Sequence, residues 1–160
     1  MMYFDPCKRL SPEDQVVVIC GRNQKLAKSL AARKWPLKMV VKGFVTNMNE
    51  YMAACDCVIT KAGPGTIAEA LISGMPIMLN GRIPCQEEGN VDFVLENGVG
   101  AYSEDPEVIA RTIAEWFKSD ETIEEMSAKA KRLGRPEATF NIVRELAGES
   151  IAFLLRELLV

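Results

Sequence analysis

The sequence predicts an α/β protein built on a doubly wound parallel sheet. Short runs rich in β-branched and apolar residues alternate with longer segments of helical periodicity. The first run, over 16–20, is apolar throughout, as in a parallel strand buried on both faces, and the connections between elements are short. Strands that alternate with helices in this way join into right-handed β-α-β units.

Five runs have the length and composition of buried strands. The first reads Val-Val-Val-Ile-Cys, and a glycine follows it. Glycine-rich turns follow the first and third of these strands, and we expect both turns at the carboxyl edge of the sheet, where ligands bind. The predicted strands are 16–20, 38–41, 57–60, 76–79 and 99–102.

Seven helical patterns lie between and after these strands. Asn23 and Asn47 precede two of them and are favoured N-caps, while Gly74 and Gly98 follow two others and are favoured at C-termini. In the first helix the apolar residues Leu26, Leu30 and Ala31 share one face, which is expected to lie inward. In the second helix the residues expected to lie inward are Met48, Tyr51 and Met52. The other helices are predicted over 66–73, 88–96, 106–117, 121–132 and 136–159, with Gly148 a candidate interruption of the last.

The chain has the length of one ordinary domain. At 160 residues it can bury a core without disulfides or metal ions. We expect a single domain over 1–160, with an irregular segment at 1–14 and a helical segment at 136–160. No apolar run reaches the length of a spanning helix and the start is not a signal peptide, so the chain alone is expected to be soluble and untargeted.

Composition excludes several classes of function. Lys and Arg number 19 against 22 Asp and Glu, and the basic residues are scattered, which argues against a nucleic-acid partner. The count of His is zero, which removes imidazole bases, Ser-His and Cys-His nucleophiles and most zinc catalysis. Five cysteines without a C-x-x-C pair predict reduced thiols. No Asp-x-Asp motif is present, and we expect neither a metal nor a cofactor.

The loop after the third predicted strand is the strongest candidate site. Its glycines, Gly63 and Gly65, would let backbone N–H groups approach an anion closely, and a helix beginning at Thr66 would direct its positive end to the same point. A diphosphate fits such a turn. Thr66 and Glu69 also match a capping box, in which Glu69 would only cap the helix. The residues alone leave both roles open.

Two further loops carry polar side chains. Arg22 follows the first strand, where it could supply charge to a phosphate or simply be solvated beside the helix cap. Gln86 and Glu87 precede a helix, where mixed donors and acceptors could read sugar hydroxyls. Acidic side chains at that position are also ordinary capping chemistry.

These motifs together resemble a known family. The donor-binding half of the monogalactosyldiacylglycerol synthases, plastid galactolipid enzymes related to the peptidoglycan glycosyltransferase MurG, is similar over 16–147 and most specifically over 55–98. The similar motifs are Cys20-Gly21-Arg22-Asn23, Gly43-Phe44-Val45, the stretch from Asp56 to Ala70, Gly74-Met75-Pro76-Ile77 and Gln86-Glu87-x-Gly-Asn90.

The resemblance implies a Rossmann-like fold, the C-terminal lobe of a GT-B glycosyltransferase, and inverting transfer of galactose from UDP-galactose to diacylglycerol. The N-terminal lobe, absent here, would carry the catalytic base, expected to be a histidine, and the contacts to diacylglycerol and membrane. No catalytic residue is therefore expected in this chain, and the isolated chain is expected to be inactive. The implied location is the chloroplast envelope membrane.

The resemblance also implies roles for individual residues. The backbone at Phe44 and Val45 would receive uracil, and Glu69 would hold the ribose hydroxyls. The residues expected to bind UDP are Gly21, Arg22, Asn23, Phe44, Val45, Lys61, Gly63, Pro64, Gly65, Thr66 and Glu69. Those expected to bind the sugar are Gln86, Glu87 and Asn90.

Two other interpretations stay open. The chain could be half of a UDP-N-acetylglucosamine transferase that works with a separate acceptor-binding subunit. It could instead be a non-catalytic module that binds a UDP-sugar.

Overall fold

The computed structural model describes residues 10–158, with side chains described as far as residue 148. Within that range strands and helices alternate, and the strands pair in parallel, which confirms the predicted α/β fold. In chain order the elements are β1 (Gln15–Ile19), α1 (Gln24–Ala31), β2 (Lys38–Lys42), α2 (Met48–Ala53), β3 (Val58–Thr60), α3 (Pro64–Ser73), β4 (Ile77–Leu79), α4 (Glu88–Glu96), β5 (Gly100–Tyr102), α5 (Pro106–Trp116), α6 (Asp120–Leu133) and α7 (Ala138–Leu158).

The strands fall into two hydrogen-bonded groups, β1-β2 and β3-β4-β5. In the first group Gln15 lies opposite Lys38. In the second, Ile77 lies opposite both Val58 and Gly100. Each paired strand follows its neighbour in the chain after one helix, so the carboxyl ends of a group share one edge of its sheet.

The core lies mainly around β4. Ile77, Met78 and Leu79 are each 0% exposed, and helices α3, α4, α5 and α6 bury apolar residues around this part of the chain. By contrast, no residue of β1, α1 or β2 is buried. The β1-α1-β2 unit is therefore the more thinly covered part of the fold.

Gly100 is required by the close approach of two strands. It opens β5 opposite Ile77, and an ideal Cβ at this position would lie 1.8 Å from the carbonyl oxygen of Ile77. Any side chain here would force the β4 and β5 backbones apart.

The predicted element ends agree with the observed ones to within two residues. Helix α4 has the bounds that were predicted. Helix α3 begins at Pro64 instead of Thr66, because proline is favoured at the first helical position and Gly63 takes the N-cap. Ala31 is exposed, contrary to expectation, and Ala27 lies half-buried in its place.

Two predicted caps have different outcomes. The Asn23 side chain accepts a hydrogen bond from the Leu26 N–H at 3.0 Å and caps α1, as predicted. Asn47 occupies the N-cap position of α2, but its amide nitrogen donates to Glu50 Oε2 at 2.7 Å instead of accepting from the helix. The side-chain cap predicted at Asn47 is therefore wrong.

Both ends of the predicted domain extend beyond the described residues. Of the predicted irregular segment 1–14, residues 10–14 are described, and the Ser11 N–H donates to Asp14 Oδ2 at 2.7 Å. Helix α7 runs through Gly148 without the predicted interruption. Phe140 and Val143, expected on one apolar side, are 65% and 59% exposed. Within residues 10–158 no helix is long and apolar enough to span a bilayer.

The cysteines in the described range are free thiols, as predicted: Cys20, Cys55, Cys57 and Cys85. Cys7 lies outside that range. Burial is the main reason that the pKa of Cys57 is raised to about 12, which keeps this thiol protonated and unreactive.

Candidate functional site

The turn between β3 and α3 forms the centre of the candidate site. Gly63 is the N-cap, Pro64 is the first helical residue, and Gly65 and Thr66 follow it. The N–H groups of Gly65 and Thr66 have no partner inside the helix, and no backbone hydrogen bond among the described residues uses them. Two free N–H donors at the positive end of a helix favour an anionic ligand.

The structure excludes the capping box as an explanation of Glu69. Thr66 is the third residue of α3, and the N-cap three residues before it is Gly63. Glu69 is exposed in the second turn, and its carboxylate makes no hydrogen bond or ion pair with any residue in the described part of the chain. That carboxylate is free to accept hydrogen bonds from a ligand.

Gly65 is a glycine that the surrounding fold does not require. An ideal Cβ at Gly65 would meet nothing within 4 Å, and its φ lies outside the left-handed region. Alanine is the better helix former by about 1 kcal/mol. A ligand that approaches the backbone closely would account for a glycine here. Gly63 differs, because its Cβ would lie 3.0 Å from Lys61 Nζ.

A hydrogen-bonded ion pair joins the loop after β3 to the loop after β4. Lys61 Nζ donates to Glu87 Oε1 at 2.5 Å, and Glu87 Oε2 accepts the Ile83 N–H at 2.8 Å. Glu87 is buried, at 5% exposure, while the Lys61 side chain is 57% exposed. The bonds from Lys61 and Ile83 hold the pKa of Glu87 below its usual value. The ionised carboxylate thus holds the lysine amine beside Gly63.

The side chains expected to contact the sugar differ in whether protein groups already occupy their hydrogen-bonding atoms. Both carboxylate oxygens of Glu87 are engaged by protein groups, and Asn90 Nδ2 donates to the Ala62 carbonyl at 2.8 Å. Gln86 is exposed, and its side chain makes no hydrogen bond within the described range. Gln86 is therefore the polar side chain that this turn leaves available to a ligand.

The other predicted residues form a second cluster after β1 and β2. The Arg22 guanidinium lies 5.6 Å from the centroid of the Phe44 ring, an arrangement that allows cation–π attraction. Asn23 is committed to capping α1, Gly21 has a φ of 54°, and Val45 is half-buried. No hydrogen bond or ion pair between described residues joins this cluster to the one around Lys61.

Sequence reasoning missed three interacting residues at the same edge, Arg82, Tyr102 and Glu104. They lie on the loop after β4 and at the end of β5, and they hydrogen-bond to one another. No motif or spacing indicates this contact, because the partners of Arg82 are 20 and 22 residues away along the chain. No group of three or more His, Cys, Asp or Glu side chains in the described residues is arranged to hold a metal ion.

Comparison with known proteins gives a consistent set of relatives. The model of the glycosyltransferase family 28 C-terminal domain matches residues 4–141. The chain is 50% identical over 140 residues to monogalactosyldiacylglycerol synthase 3, chloroplastic, of Arabidopsis thaliana, which covers 87% of this chain and 30% of that protein. It is 56% identical over 138 residues to a probable monogalactosyldiacylglycerol synthase of Glycine max, covering 85% of this chain and 26% of the relative. The chain thus spans less than a third of these relatives.

The solved structures show the same fold. The crystal structure of Acinetobacter baumannii MurG superposes with a TM-score of 0.72 at 20% identity, over 89% of this chain and 44% of that one. The glycosyltransferase SnogD of Streptomyces nogalater has a TM-score of 0.53 at 16% identity, over 86% of this chain and 44% of that one.

Proposed function

The chain belongs to glycosyltransferase family 28, whose C-terminal domain it carries, and from this premise we propose that it is the donor-binding part of a galactosyltransferase. The whole enzyme would move galactose from UDP-galactose to diacylglycerol in galactolipid synthesis. Identities of 50% and 56% to plant proteins named for that activity support this substrate pair over the N-acetylglucosamine alternative. Their designation as chloroplastic supports action at the chloroplast envelope membrane.

The observation that carries the proposal is the β3-α3 turn with its unexplained Gly65. Its two free N–H groups lie at the positive end of α3, and the exposed Lys61 amine, although paired with Glu87, has further N–H donors where a diphosphate would lie. The backbone at Phe44 and Val45 would receive the uracil, and Arg22 would supply charge to the diphosphate. The free Glu69 carboxylate would accept hydrogen bonds from the ribose hydroxyls, and Gln86 would read the hexose. No cofactor is proposed, since these groups can donate hydrogen bonds to the diphosphate oxygens.

The reaction proposed for the whole enzyme divides the work between two lobes. A base on the N-terminal lobe takes the proton of the diacylglycerol hydroxyl, whose oxygen then attacks the anomeric carbon of galactose. The bond from that carbon to the diphosphate oxygen breaks, and UDP leaves with the electron pair. This chain stabilises the charge that develops on UDP through N–H groups and the Lys61 amine. In-line displacement inverts the anomeric configuration.

The first prediction is that the chain binds UDP without a divalent metal ion. N–H groups and a lysine take the place of the cation, so chelator should not weaken binding. At UDP concentrations of a hundredfold over the dissociation constant, mass action stabilises the fold by about 2.7 kcal/mol. Thermal unfolding with UDP and excess chelator measures this, and an unchanged melting temperature at millimolar UDP would contradict the proposed function.

Gly65→Ala provides the matched variant for that experiment. The added methyl group has open space in the free chain, so the melting temperature without UDP should stay the same or rise slightly. The methyl group would occupy the path of the diphosphate, so stabilisation by UDP should be lost. A Gly65→Ala chain that UDP stabilises as well as the parent would place the diphosphate elsewhere.

The second prediction is that the isolated chain binds the donor without transferring its sugar. The sequence contains no histidine, and the proposed acceptor contacts lie on the other lobe. Galactose transfer from UDP-galactose to diacylglycerol in detergent micelles, measured with purified chain, should equal the background of heat-unfolded chain. Turnover above that background would show that a base lies within these 160 residues.

A further inference from the structure

Arg82 connects both ends of the β4-α4 loop to the end of β5. Its Nη1 donates to the Tyr102 hydroxyl, which in turn donates to Glu104 Oε1, and Nη1 lies 3.3 Å from that same oxygen. The guanidinium carbon lies 5.3 Å from the centroid of the Tyr102 ring. On its other side Arg82 Nε is 3.9 Å from Oε1 of Glu88, the first residue of α4.

The turn between Arg82 and Glu88 is closed by its own hydrogen bonds. The Ile83 carbonyl accepts the N–H groups of Gln86 and Glu87 at 3.2 and 3.0 Å, and Glu87 Oε2 accepts the Ile83 N–H. Cys85 has a φ of 64°, in the left-handed region. A residue other than glycine keeps that conformation where its surroundings impose it. The turn is therefore stabilised by its own hydrogen bonds, with Gln86 exposed on it.

The Nη1 and Nε atoms of Arg82 face protein groups. One cation faces two carboxylates and a phenol, and the Arg82 side chain is 33% exposed. These contacts join the end of β5 to both ends of the turn, as a brace would.

We propose that Arg82, braced by Tyr102 and Glu104, is a positioning residue that sets the turn 83–87 so that Gln86 discriminates between donor hexoses. The inference rests on the proposed function, because it assumes that this turn faces the sugar of a bound UDP-sugar. Arg82 acts on the hexose only through the turn, so the affinity for the UDP part does not depend on it.

The test compares the dissociation constants of UDP, UDP-galactose and UDP-glucose by calorimetry. The parent chain should prefer UDP-galactose to UDP-glucose, because a hydrogen-bonding side chain in fixed position separates two epimers. In Arg82→Met the ratio of these two constants should fall to about one, while the constant for UDP stays within about twofold of the parent value. Tyr102→Phe, which keeps the ring and lies outside the turn, should lower the ratio as well. The double variant, which carries Arg82→Met and Tyr102→Phe, should discriminate between the two UDP-hexoses no less than Arg82→Met alone.

Lys129→Met is the matched control. It breaks the ion pair between Lys129 and Glu125 of α6. The two side chains of this pair are 35% and 64% exposed, which matches the 33% and 63% of Arg82 and Glu104. Lys129 lies beside Gly98, at the amino end of β5. This variant should keep the parent preference.

Three results would overturn the inference. The first is a parent chain that binds both UDP-hexoses with equal affinity. The second is an Arg82→Met chain that keeps the parent preference, and the third is a folded Arg82→Met chain that no longer binds UDP. A parent chain that does not bind UDP at all would instead overturn the proposed function.

Discussion

Gly100→Ala is expected to destabilise the chain by about 3 kcal/mol or more, at the upper end of what overpacking costs. The new methyl group would lie 1.8 Å from the Ile77 carbonyl oxygen, and that atom belongs to the backbone of a fully buried strand. No rotamer change can relieve a clash between a Cβ and a backbone atom, so β4 and β5 must separate. At 2–4 °C per kcal/mol, the melting temperature should fall by roughly 6–12 °C, measured by circular dichroism.

Gly89→Ala is the control for this substitution. Gly89 is the second residue of α4, and an ideal Cβ there meets nothing within 4 Å. Because alanine is the better helix former, Gly89→Ala should leave the melting temperature unchanged or raise it. A Gly100→Ala chain that melts with the parent would mean that β4 and β5 lie further apart than described.

Glu69→Gln should weaken UDP binding by about tenfold or more while leaving the free chain as stable as before. The Glu69 side chain is exposed and has no partner among the described residues, and surface changes of this kind usually alter stability by less than about 0.5 kcal/mol. A charged acceptor that faces ribose hydroxyls makes hydrogen bonds worth about 1.5–3 kcal/mol. Since 1.4 kcal/mol is a factor of ten, the loss is measurable by calorimetry.

Glu115→Gln is a suitable comparison, because Glu115 is an exposed glutamate near the C-terminal end of α5 with no proposed ligand role. Glu115→Gln should bind UDP like the parent chain. Equal UDP affinity in the Glu69→Gln variant and the parent would remove Glu69 from the nucleotide site.

Local patterns predicted most of the fold. The five parallel strands follow from apolar runs, and α4 has its predicted bounds because Gly98 marks its end. Glycine on both sides of Pro64 suggests a turn, so the sequence predicts a later start for α3 than the structure shows. The observed helix uses that proline as its first residue. The prediction that Ala31 lies on the inward face of α1 is wrong, because Ala31 is the last residue of the helix, where solvent reaches it.

Less of the site could be predicted from the sequence. The glycines and the helix start of the β3-α3 turn are contiguous, so one motif indicates them together. The contact between Lys61 and Glu87 spans 26 residues and depends on how two strands pair. Residue type leaves both a capping and a sugar-binding role open for Glu87, and the family resemblance favours the sugar, whereas the packed structure gives its carboxylate two protein partners.

The strands β1 and β2 are less buried than β4, so the two parts of the proposed nucleotide site should differ in the free energy of local opening. The free energy of local opening depends on buried contacts, so it should be lower for β1, α1 and β2 than for the fully buried β4. The residues proposed to bind uracil extend from the first unit, and the diphosphate turn extends from the second. A nucleotide that contacts both units would bind only while the β1-α1-β2 unit is closed. Binding would therefore stabilise that unit against local opening. Amide hydrogens of β1 and β2 would then gain more protection from exchange than those of β4, and the uracil side of the pocket would be ordered in part by its own ligand.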